Sequence, residues 1–68
     1  MALSAEELPD RSLLIVDDDA PFRQRLARAM EARGFIVTAA ETAEEALAVA
    51  RKSPPAFAVV DLDRKSVV

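Results

Sequence analysis

Residues 13–22, Leu-Leu-Ile-Val-Asp-Asp-Asp-Ala-Pro-Phe, decide how this chain folds. Four aliphatic residues, Leu13 to Val16, run straight into three carboxylates, Asp17 to Asp19. A short, unbroken aliphatic run fits a strand buried on both faces of a parallel sheet. Adjacent acids repel one another and want water or a cation, so they belong at that strand's wet end.

Beyond the acids the apolar period changes. Phe22, Leu26 and Met30 recur every fourth residue, with Ala27 and Ala29 beside them, while Arg23, Gln24, Arg25, Arg28 and Glu31 take the other faces. This predicts an amphipathic helix over residues 20–33. Asp19 reads as its N-cap, and Pro21 lies in the first turn, where a missing N–H costs little. Gly34, the only glycine, reads as the left-handed residue that ends the helix.

"FIVTA", residues 35–39, is a second strand by its β-branched and aromatic content. Thr42-Ala43-Glu44-Glu45 has the form of a capping box and opens a second helix with Ala43, Ala46, Leu47 and Ala50 inward. Pro54 and Pro55 stop it after Ser53. "FAVVD", residues 57–61, is a third apolar run ending in an acid. Residues 1–11 read as a flexible leader with a helical turn at Ala5 to Leu8, and "DRKSVV" has no clear element. Phe22, Met30, Phe35 and Phe57 are expected in the core.

The order β-α-β-α-β implies parallel pairing and right-handed crossovers. In a sheet of order 2-1-3 the ends of strands 1 and 3 meet at the switch point, where open α/β sheets place ligands. Asp17, Asp18 and Asp61 would then converge. Oxygen-only ligands with water access suit Mg²⁺ or Mn²⁺.

Composition narrows the chemistry. With 68 residues there is one small domain at most, and its core is marginal, which leaves room for a metal, a partner subunit or more chain to complete it. The chain has no cysteine and no histidine, so neither a thiolate site nor an imidazole base is available. A net charge of −3 argues against nucleic-acid binding. No apolar run approaches the roughly 20 residues that span a bilayer, and the N-terminus is not a secretory signal. A soluble cytoplasmic protein is expected.

"LLIVDDD" and "AVVDL" with this element order between them resemble the receiver domain of two-component response regulators. "VDDDAPFRQRLARAMEARGF" with "PPAFAVVDL" resembles the RegA/PrrA/ActR group of redox-responsive regulators. The resemblance implies a truncated flavodoxin-like α/β fold over residues 12–63, helices on both faces, followed by a tail at 64–68. It implies that Asp61 is the phosphoacceptor, served by a sensor histidine kinase rather than by an enzymatic activity of this chain. Mg²⁺ would be held by Asp17, Asp18, Asp61 and the backbone carbonyl of Asp63.

The pattern also departs from a full receiver, which has five strands and five helices. The Ser/Thr of strand 4 and the Lys of strand 5 are missing, and Lys65 lies in the loop after Asp61, where it is no substitute. Mg²⁺ binding is therefore expected to be weak and phosphorylation inefficient. The alternative is a non-phosphorylatable remnant acting as a dimerisation or structural module. Strand 3, apolar on both faces with an unpaired edge, is expected to pair two copies about a two-fold axis into a six-stranded sheet. Singly, the bland readings stand beside these: Asp19 as a cap rather than a ligand, Thr42 as a cap rather than a nucleophile, and Arg23, Arg25 and Arg28 as the wet face of a helix.

Overall fold

The computed structural model describes residues 8–62. Five elements follow in order: β1 (Ser12–Asp17), α1 (Ala20–Ala32), β2 (Ile36–Ala40), α2 (Ala43–Lys52) and β3 (Phe57–Asp61). The strands form one parallel sheet in the order β2-β1-β3. Ser12 lies opposite Ile36 and Val16 opposite Ala40 on one side of β1. Leu13 opposite Phe57, through to Asp17 opposite Asp61, sets the other side. This is the truncated flavodoxin-like arrangement expected from the sequence.

β1 is central because it alone can be dry on both faces. Leu13, Leu14, Ile15 and Val16 are all buried, and Ile15 is wholly inaccessible. Burying such side chains contributes about 1.5–3 kcal/mol each. Leu14 and Val16 pack with Ala40 against Ala46, Val49 and Leu62, which puts α2 on that face. Strand alternation turns Leu13, Ile15 and Asp17 to the opposite face. Right-handed crossovers leading to opposite edges of the sheet require α1 on that second face.

Local chemistry ends the elements where the sequence predicts, with one shift. The Asp19 side chain accepts from the Phe22 N–H at 3.2 Å and starts α1. At its far end Gly34 takes φ 99°, its N–H donates to Glu31 O, and the Phe35 N–H donates to Met30 O at 3.1 Å. This is the Schellman pattern. It uses up the Phe35 amide, so β2 begins at Ile36 and runs to Ala40, one residue later than the apolar pattern suggests. Thr42 caps α2 through the Glu45 N–H at 3.1 Å, but Glu45 reaches back to the Glu41 N–H rather than to that of its own cap residue. Glu44 and Glu45 in the first turn and Arg51 and Lys52 in the last complement the helix dipole.

The core is smaller than expected. Phe22 is 41% and Phe57 42% exposed, and Met30 and Phe35 are only half-buried. Among the described residues no helix packs on β3, and all five of its residues are exposed. Phe57 instead stands edge-on to Phe35, ring centroids 5.8 Å apart, at the end of the sheet away from the acids. On α2, Leu47 and Ala43 are exposed, while Val49 joins Ala46 as the inward side chain. The helix lies over β2 and β1, so its inner stripe is the one centred on Ala46 and Val49.

Candidate functional site

The C-terminal ends of β1 and β3 bring Asp17 and Asp61 into direct register. Paired positions in a parallel ladder put both side chains on one face, on strands about 4.8 Å apart. Asp17 is buried and Asp61 exposed, so one acid roots the site in the core and the other opens it to solvent. Asp18 lies exposed in the bend after β1. The carboxylate of Asp19 is spent on its helix cap. Asp63 lies outside the described residues.

Asp17 carries the site's clearest sign of a missing partner. Its Oδ1 accepts the Asp19 N–H at 2.9 Å, closing a tight turn over the strand end. Its Oδ2 is buried and has no hydrogen-bond partner among the described residues. Buried acceptors are nearly always satisfied, and an ion is a recognised reason for one that is not. Among the described residues no three acids stand close enough to form a metal cage unaided. A hard dication needs only one or two carboxylates, its other ligands being waters and phosphate oxygens. The residues present therefore fit a Mg²⁺-type cation seated on Asp17 and open towards Asp61.

One residue of the site escaped the sequence. Arg23, read there as part of a wet helix face, is half-buried, and its Nη1 donates to the main-chain oxygen of Asp17 at 2.6 Å. The available signal was its place in the first turns of α1, where a long side chain reaches back over the strand that feeds the helix. Arg25 and Arg28 are exposed, as expected.

Parallel strands in the order 2-1-3, with paired acids at the switch point, are the arrangement of the N-terminal half of a response-regulator receiver domain, and over this stretch the chain is highly similar to response regulators. Within that class it resembles the RegA and ActR regulators. It is 60% identical over 53 residues to the photosynthetic apparatus regulatory protein RegA of Cereibacter sphaeroides, covering 78% of this chain and 29% of that protein. Against the acid tolerance regulatory protein ActR of Sinorhizobium medicae the identity is 63% over 54 residues, 79% of this chain and 28% of the relative. For RegA of Rhodobacter capsulatus it is 55% over 58 residues, 85% and 32% of the two chains. The chain thus spans less than a third of the length of these relatives. No protein-family model and no solved structure matches it. Among the described residues no helix is long and apolar enough to cross a membrane.

Proposed function

We propose that this chain is the phosphoacceptor half of a receiver in a two-component pathway. Asp61 accepts a phosphoryl group from a phosphohistidine on a sensor kinase. A carboxylate oxygen of Asp61 attacks phosphorus, the P–N bond breaks, and the leaving imidazole takes up a proton. Asp17 and Asp18, with Asp61 and the Asp63 carbonyl, would hold Mg²⁺ or Mn²⁺. Bound there, such a cation would supply charge neutralisation at the phosphoryl oxygens, while Asp61 would provide the attacking oxygen. The observation that carries this reading is the register of Asp17 with Asp61 beside an unpartnered, buried Asp17 Oδ2.

The test is exposure to acetyl phosphate and Mg²⁺ followed by intact mass. A labile phosphate adduct on the chain, lost in Asp61→Asn, supports the reading. No adduct at any Mg²⁺ concentration refutes it.

A second reading, a dimerising module that does not take phosphate, rests on β3. Its outer edge is unpaired among the described residues, and Phe57, Val59 and Val60 are exposed, Val60 by 65%. A second copy related by a two-fold axis pairs β3 with β3 and completes a six-stranded sheet. Sedimentation then shows a dimer that Val60→Lys dissociates, because a charge on an edge strand blocks pairing. A folded monomer at high concentration removes the idea.

A further inference from the structure

Arg23 holds the acid turn in place, and its position suggests a role that its charge alone would not. The structure describes two clamps on Asp17. The Asp19 N–H takes Oδ1 of its side chain, and the Arg23 guanidinium takes its main-chain oxygen. That oxygen belongs to the last residue of β1, beyond the final β1–β2 pair at Val16, and its residue is only 3% exposed. A buried carbonyl at a strand end needs a donor from outside the ladder. Arg23 supplies it from α1, six residues on.

We propose that Arg23 is a positioning residue for divalent-cation binding at Asp17, an inference that rests on the function proposed above. With both clamps closed, the Asp17–Asp18 peptide plane is fixed and Oδ2 is the one unclaimed acceptor on Asp17. Without Arg23 the peptide turns to find water, the Asp19 N–H loosens from Oδ1, and the carboxylate loses its fixed aim.

Charge and geometry predict opposite outcomes, which makes the proposal testable. Deleting a cation beside an acid cluster strengthens dication binding on Coulombic grounds alone. Loss of positioning weakens it, by roughly tenfold if Arg23 acts as other outer partners of metal ligands do. The experiment is a Mg²⁺ titration of the whole chain followed by backbone amide chemical shifts, with circular dichroism as the check on folding. Arg23→Ala is expected to weaken binding about tenfold, and Arg23→Lys, which keeps a charged donor, to recover part of it. Arg25→Ala removes the same charge from an exposed site on the same helix and is expected to leave affinity unchanged or slightly raised. Equal or tighter binding in Arg23→Ala overturns the proposal.

A second readout needs no metal. Hydrogen exchange at the Asp19 amide, protected by Asp17 Oδ1, is expected to accelerate in Arg23→Ala and not in Arg25→Ala. If the parent chain binds no Mg²⁺, the proposed function fails. Unchanged Asp19 exchange in Arg23→Ala sinks the positioning role separately.

Discussion

Asp17→Asn is the substitution that most directly separates what the acid site costs the fold from what it does. Asp17 and Asp61 face each other on strands about 4.8 Å apart. Two unit charges at that spacing repel by about 3.5 kcal/mol at an effective dielectric of 20 and about 0.9 kcal/mol in bulk water. Asp61 is exposed, so the value near the water limit governs. The buried, unpartnered Oδ2 adds about 1–3 kcal/mol of unpaid desolvation, part of which a neutral amide also bears. An Asn at this position keeps an oxygen for the Asp19 N–H and sheds the charge. Without divalent cation the variant is therefore expected to be more stable by about 1–2 kcal/mol, and each kcal/mol is worth about 4–8 °C in a domain of this size. If the site binds Mg²⁺ as proposed, the cation at ten times its Kd is expected to stabilise the parent by about 1.4 kcal/mol and to leave the variant where it was. Thermal melts by circular dichroism in EDTA and in Mg²⁺ read both effects. A lower Tm for Asp17→Asn in EDTA would show that the fold already compensates the charge, and the reasoning would be wrong.

Two further predictions concern the scaffold. Gly34→Ala forces a Cβ into the φ 99° position and is expected to cost about 1–2 kcal/mol, seen as a lower urea midpoint with an unchanged m-value. An unchanged midpoint would mean that the α1–β2 turn has another solution. At the chain's entry to β1, the N–H and hydroxyl of Ser12 hold the Asp10 carboxyl below its ordinary value of 3.8. The unfolded chain then binds more protons, so this contribution is complete above pH 3.8 and fades as pH falls through the lower folded value. Asp10→Asn should flatten that part of the acid limb in a pH series of denaturation curves, and an identical limb would dismiss the bond as a stabiliser.

Much of this architecture is legible because a few residues admit one reading. Leu13 to Val16 have no polar position to turn outward, which makes β1 central. Asp19, Gly34 and Thr42 cap or end helices by bonds to residues three positions away, so local sequence announces them. The pairing of Asp17 with Asp61 follows from strand order alone. What stays hidden depends on what lies beside an element rather than within it. Phe57 and Leu47 are apolar like core residues, yet among the described residues no helix lies over β3 and α2 covers β2 and β1. The late start of β2 depends on the Phe35 amide being claimed by Met30. Arg23 is indistinguishable in periodicity from Arg25 and Arg28, and only the path of α1 over the end of β1 brings it to the Asp17 carbonyl.

The two acids of the site are supported very unequally, and this bears on how the site can work. Asp17 is fixed by the core below it, by the Asp19 amide and by Arg23. Asp61 is fixed by the β1–β3 ladder, which is anchored at its other end where the Ala56 N–H donates to Ser12 Oγ at 2.8 Å. Among the described residues no helix reaches β3. On the proposed function, a cation held by Asp17 would sit on the rigid side, and Asp61 would meet the phosphoryl group from the softer one. Phosphoryl transfer tolerates little misplacement of the attacking oxygen, since positioning supplies most of its rate. Anything that covers β3, a second copy included, stiffens the strand that carries Asp61. On the two readings proposed above, association at that edge and acceptance at Asp61 would be linked through one strand, and the exposed valines beside the acid would concern its chemistry as much as its solubility.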